Sequence, residues 1–147
     1  MRLSEMKSIV SGIPSGFTGI RKKWQDLGDE PFKIEKAAIL ERPAVNKDGE
    51  PLIYQNGPRK GQQIPDRRLV LQLRMVTGEA VVVMTNSQYL VPLFTGALDD
   101  AVPDDTNRYG DDIFFVDAPE GVMRFVPAEY EYANGKRGAV ADLIEAE

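Results

Sequence analysis

A chain of 147 residues that is 42% hydrophobic and 28% charged has the length and composition of one globular domain with its own core. With no cysteine and no histidine, disulfides, zinc sites of the Cys/His kind and every catalytic triad built on Cys or His are excluded. The net charge of −5 divides unevenly: residues 1–77 hold 14 Lys+Arg against 9 Asp+Glu, and residues 78–147 hold 4 against 14. That split points to a basic surface for a polyanion and an acidic surface for a different partner.

Leu3, Met6, Val10 and Ile13 have helical spacing, but Gly12, Pro14 and Gly16 stop anything long. No apolar run approaches the roughly 20 residues of a membrane helix, and no signal-like apolar region follows Met1 to Lys7. The expectation is a cytoplasmic chain that meets no membrane. Ile20, Trp24 and Leu27 fall on one face of a short helix that Thr18 would cap. Arg21, Lys22 and Lys23 lie beside Trp24, and an aromatic ring among cations suits a base stacked between phosphates. A core tryptophan with solvated cations is the plainer alternative.

A first strand is predicted from Phe32 to Arg42, with Phe32, Ile34, Lys36, Ala38 and Leu40 on one face and Lys33, Glu35, Ala37, Ile39 and Glu41 on the other. The segment 44–66 carries the turn signals Asp48-Gly49 and Asn56-Gly57. It reads as a mobile loop, with a small hairpin around Leu52-Ile53-Tyr54 as the alternative. Its Lys47, Tyr54, Arg59 and Lys60 would let it close over a bound strand. A hairpin then runs from Leu69 to Met84 through Thr77-Gly78. Leu69, Leu71, Leu73 and Met75 would face the core. Arg68 and Arg74 would share the outer face with Val70, Gln72 and Val76, as a cationic row with Arg67 beside it.

Asn86 or Ser87 would cap a helix through Tyr89, Leu90, Leu93 and Phe94, kinked by Pro92. The acidic stretch 99–120 encloses a short strand, Ile113-Phe114-Phe115-Val116. Paired aspartates there can hold Ca²⁺ or Mg²⁺, but their spacing matches no calcium loop. A solvated loop that repels DNA or attracts a basic partner is the simpler reading. A last strand is predicted from Gly121 to Tyr132, with a turn at Asn134-Gly135. Ala139 to Glu147 would then form a helical turn or an acidic tail. Gly57-Pro58-Arg59-Lys60-Gly61 lacks the GK[ST] ending of a phosphate-binding loop.

Taken together, the expected fold is all-β to α+β: a small five- or six-stranded barrel of the oligonucleotide/oligosaccharide-binding (OB) type with one or two short helices. It would be a single domain: a helical, basic extension over 1–31, a barrel core over 32–133 and an acidic tail over 134–147.

The run from Arg21 to Leu98 resembles the single-stranded DNA-binding proteins of tailed bacteriophages. The matching features are Ile20-Arg21-Lys22-Lys23-Trp24, Leu69-Val70-Leu71 leading into Thr77-Gly78-Glu79, Val81-Val82-Val83-Met84-Thr85-Asn86-Ser87, Tyr89-Leu90, and Phe125-Val126-Pro127 with Tyr130 to Tyr132. The resemblance implies an OB fold that coats single-stranded DNA in phage replication or recombination. It also implies an acidic end, Asp142 to Glu147, that recruits other replication or recombination proteins, although the terminal Pro-Phe of the bacterial pattern is missing. The expected contacts are Lys22, Lys23, Trp24, Tyr54, Arg59, Lys60, Arg67, Arg68 and Arg74, with no catalytic residue, no cofactor and no metal. Self-association into a homo-oligomer is left open. The alternative is a structural or protein-interaction module, such as a virion component or an inhibitor acting by acidic mimicry.

Overall fold

The computed structural model describes residues 13–14, 16–96, 98, 101–107, 109–132 and 135–146. The expected early helical spacing at Leu3, Met6 and Val10, and the residues Asp99, Asp100, Asn134 and Glu147, lie outside them. The architecture is mostly β, with one curled, open sheet that forms a half-barrel and one short helix.

Among the described residues eight strands, rather than five or six, build the sheet: β1 (Ile20–Arg21), β2 (Phe32–Pro43), β3 (Pro65–Met75), β4 (Ala80–Thr85), β5 (Asp105–Thr106), β6 (Asp112–Val116), β7 (Val122–Glu131) and β8 (Arg137–Glu145). Their order is β1-β4-β3-β2-β6-β5, and β7 joins β2 to β8. All neighbours are antiparallel except β1 and β4.

Strand β2 shows how the curl arises. It pairs with β3 from Phe32↔Met75 to Pro43↔Pro65, but the register slips between Ile34 and Lys36, which makes Glu35 an extra residue. Such a bulge bends the strand and raises its twist. On its other edge β2 pairs first with β7, through Phe32 and Lys33, and beyond the bulge with β6, from Ala37 to Glu41. The bulge also reverses the side-chain alternation. Phe32 and Ile34 face the main core together with Ala37 and Ile39, not with Lys36 and Ala38 as strict alternation predicts. Leu69, Leu71, Leu73 and Met75 of β3 share that core as expected, with Val81 and Val83 of β4.

A second, smaller core lies on the opposite face. Phe17 packs there with Ala38, Leu40, Val70, Val82 and Ile113. Residues 16–19, just before β1, therefore form a strap across the outer face of the sheet. The Thr18 N–H donates to Gln72 Oε1 at 2.8 Å, and Lys36 Nζ donates to the Gly16 carbonyl at 2.7 Å. The predicted helix over Ile20, Trp24 and Leu27 is replaced by extended chain at Ile20–Arg21 and a 3-10 turn at Trp24–Leu27. The reason is tertiary: the open edge of β4 offers ladder partners to Ile20 and Arg21, and the Lys22 N–H donates to the Val82 carbonyl at 3.1 Å. The 3-10 turn then packs between β4 and β7 and buries Leu27.

Three further expectations are corrected. The 44–64 segment is not a loose loop but a small closed meander, with bridges Val45↔Pro51 and Ile53↔Gln63. The predicted tail or helical turn after residue 134 is β8, paired with β7 from Met123↔Glu145 to Glu131↔Arg137. Its Val140 and Ala141 are buried, so this end takes part in the fold. The predicted helix is a single short one, Leu90–Thr95, and Ser87 Oγ accepts the Tyr89 and Leu90 N–H groups that begin it. Pro92 sits in its first turn, where a missing N–H costs nothing. Among the described residues no helix is long and apolar enough to cross a membrane.

Gly19 tests the strap directly. Its φ is +141°, and a Cβ there would stand 2.8 Å from the Ala80 carbonyl carbon and oxygen. Gly19→Ala is expected to loosen the β1–β4 contact and lower stability by about 1–3 kcal/mol, read as a lower urea midpoint with an unchanged slope.

Candidate nucleic-acid interface

Most of the expected cations are neutralised within the chain. Arg67 Nε lies 2.6 Å from Glu41 Oε2, directly across the β2–β3 ladder. Arg74 lies 3.2 Å from Glu35, the bulged residue, and donates to the Gly78 carbonyl at 2.8 Å. Lys22 lies 3.4 Å from Glu79. Arg68 and Arg74 do share the outer face, but no continuous row joins them. Gln72 stands between them, buried, with its amide spent on Thr18 and Glu35, and Phe17 covers the neighbouring Val70.

Arg68 belongs to a buried charge cluster. Asp111, 1% exposed, accepts from Arg68 Nη2 at 3.2 Å, from Arg42 Nη2 at 3.0 Å and from Asn107 Nδ2 at 3.0 Å, all on Oδ2. Arg42 Nε lies 2.7 Å from Oδ1, a charge contact without the alignment of a hydrogen bond. One carboxylate between two guanidinium groups leaves the trio with a net positive charge. Among the described residues no group of acidic side chains is arranged to hold a metal ion; the buried aspartate of the acidic stretch is held by arginines instead.

The surplus charge faces a cleft of about 280 Å³ lined by Arg21, Lys23, Trp24, Arg68, Met84 and Asn86, with Gln25 and Thr85. Arg21 Nη2 and Arg68 Nη1 each lie 3.8 Å from the Met84 sulfur, so the two guanidinium groups approach one atom from two strands. Neither Arg21 nor Lys23 has a carboxylate partner among the described residues. Trp24 lines the cleft and also packs on the main core, 6.4 Å from the Phe125 ring at 55°. It serves as wall and core at once.

Of the expected set, the cleft thus unites Lys23, Trp24 and Arg68. Lys22, Arg67 and Arg74 lie elsewhere in ion pairs, and Tyr54, Arg59 and Lys60 stand on the 44–64 meander. Arg21 belongs to the cationic run expected beside Trp24 but not to the expected contacts, Asp111 belongs to the acidic stretch weighed for a metal, and Arg42 and Asn86 carry no expectation as site residues. For Arg21 a signal existed: in extended chain Arg21 and Lys23 share a side and Lys22 takes the other, so the helical reading obscured it. Compared with known proteins, the chain matches no family model, no curated protein and no solved structure.

Replacing Asp111 by Ala strips the partner from Arg42 and Arg68. Because both arginines stay partly hydrated, at 42% and 30% side-chain exposure, the expected loss is about 2–3 kcal/mol, below the 3–5 of a fully buried pair. Chemical denaturation measures it, and a loss under 1 kcal/mol would refute the pinning role.

Proposed function

We propose that this chain binds single-stranded DNA without sequence preference, along the cleft formed by β1, the 3-10 turn and the end of β4, as a half-barrel of the OB type. The observation that carries the reading is the convergence of Arg21 and Arg68 on Met84 beside Lys23, which has no carboxylate partner among the described residues, and the wall of Trp24. Guanidinium groups match phosphate oxygens in a planar, two-pronged geometry. An aromatic wall adds about 1–3 kcal/mol for each base that stacks on it, which only an unpaired base can do, and the amides of Asn86 and Gln25 can meet base edges. In the OB architecture the face of the second and third strands receives the oligonucleotide. Counting from the long strand β2, those strands are β3 and β4, which supply Arg68 and Met84. The choice of DNA, and of a role in phage replication or recombination, rests on the resemblance carried by Arg21 to Leu98.

A second reading is favoured by a different observation. Lys22, Arg67, Arg68 and Arg74 are all held by carboxylates, as suits a structural or protein-interaction module whose acidic edge does the work.

Fluorescence anisotropy with labelled poly(dT) and a matching duplex, titrated at several salt concentrations, separates the two. The first reading expects the single strand to bind more tightly, with log K falling linearly in log salt. Arg21→Ala should reduce that slope by about one phosphate contact, and Arg74→Ala should leave it unchanged. No binding at low salt would overturn the first reading.

A further inference from the structure

The segment 44–64 is an ordered arm that contributes nothing to either core. Its hydrogen bonds close on themselves: Leu52 N–H to the Ala44 carbonyl at 3.0 Å, Ile64 N–H to the Leu52 carbonyl at 2.8 Å and Tyr54 N–H to the Gln62 carbonyl at 3.0 Å. Asn46 Oδ1 fixes the first turn by accepting the Asp48 and Glu50 N–H groups at 2.9 and 3.0 Å. Among the described residues no hydrogen bond or ion pair joins the arm to the rest of the chain. Yet it carries Val45, Leu52 and Ile53 at 52%, 41% and 42% exposure. Leu52 and Ile53 are adjacent in extended chain and point to opposite sides, so both faces of the arm stand uncovered. Its tip carries Arg59 and Lys60, neither with a carboxylate partner among the described residues.

The complementary surface lies at the same end of the molecule. The arm leaves the sheet at Pro43↔Pro65, two residues beyond Glu41, which pairs with Asp112 of β6. Next to β6 is the edge strand β5, Asp105–Thr106. Residues 101–112 hold four Asp against one Arg, and of the four Asp111 is already held by Arg42 and Arg68. Asp104 and Asp105 are exposed, and apolar groups accompany them: Val102 at 82% and Phe115 at 48% exposure. An apolar arm with a cationic tip thus adjoins an acidic and apolar edge, about 10 Å away at the usual strand spacing, without an ion pair between them among the described residues.

We infer that the arm docks on the acidic β5 edge of a second copy of this chain, and that copy's arm docks in return. Because donor and acceptor surfaces sit side by side at one end, a two-fold axis satisfies both at once and the assembly closes as a dimer. Charge complementarity selects this occupant. A nucleic acid would meet the cationic tip but would be repelled by the acidic edge beside it, and it has no use for the exposed Val45 and Ile53.

The test is light scattering coupled to size exclusion, with sedimentation equilibrium, on the full chain at low and high salt. The expected result is a dimer of the 16.3 kDa chain at low salt that dissociates as salt rises. Leu52→Asp with Ile53→Asp should weaken dimerisation at least tenfold. So should Arg59→Glu with Lys60→Glu, and so should Asp105→Lys, which leaves the Asp104 bond to the Phe115 N–H (2.8 Å) intact. Mixing the last two variants should restore a dimer, since each arm then meets an edge of opposite charge. Circular dichroism checks that the variants are folded, and the charge reversals change only exposed side chains. A monomer at every concentration, or a dimer indifferent to these changes, would overturn the inference. So would arm variants that leave the mass unchanged but lower oligonucleotide affinity, which would assign the arm to nucleic acid.

Discussion

The fold depends on one extra residue in β2. Without the bulge at Glu35, β2 would keep strict alternation, and its two halves would bury opposite faces. With it, Phe32, Ile34, Ala37 and Ile39 all face one core, and the bend lets a single strand serve β7 near its start and β6 near its end. The bulged residue is itself used. Glu35 meets Arg74 at 3.2 Å and accepts from Gln72 at 3.2 Å, so the position that curves the sheet also fixes the polar groups beneath the strap. Curvature, core and strap share one cause.

Charge in this molecule is handled by pairing before it is offered to anything outside. Arg67 and Glu41 face each other across a ladder, and surface pairs of this kind contribute at most about 1 kcal/mol. Their larger effect here is negative: a guanidinium already facing a carboxylate is a poor phosphate ligand, because the partner must first be displaced. The Asp111 cluster differs because two arginines share one buried anion. Arg68 therefore keeps part of its charge for the cleft while its position is fixed from behind. Arg21 completes the arrangement from a strand joined to the sheet by a two-residue parallel ladder, strengthened by the flanking Thr18 and Lys22 hydrogen bonds and by Phe17 in the second core.

The parts legible in the sequence were those governed by local patterning. The β3–β4 hairpin, with Leu69, Leu71, Leu73 and Met75 inward, follows from alternation and a glycine-bearing turn, and Gly78 does take a φ of +93°. The apolar strand at 113–116 and a short helix opened by Ser87 also follow from their own residues. What failed was decided at a distance. Ile20, Trp24 and Leu27 have helical spacing, but an open strand edge supplied partners that a short isolated helix cannot match. Residues 137–145 look like an acidic tail until Val140 and Ala141 are seen against β7. Alternation places Arg68 and Arg74 on one face, but nothing in residues 67–84 announces that Phe17 covers the middle of that face. Arg42 and Asp111 are 69 residues apart, and no spacing rule links them.

The same topology explains how a chain with a net charge of −5 can carry a cationic cleft. Across the end of the sheet the order runs from β1 and β4, which frame the cleft, through β3 and β2, which launch the arm, to β6 and the acidic β5. Four strand spacings separate β4 from β5, about 19 Å at the usual interval. Arg68 meets the acidic stretch directly, 3.2 Å from Asp111, but that carboxylate is shared with Arg42, and Arg21 and Lys23 have no carboxylate partner among the described residues, so the cleft keeps a positive surplus. A sheet that sorts its charges across its width therefore holds two surfaces of opposite sign joined at Asp111, and the net charge of the whole chain describes neither of them.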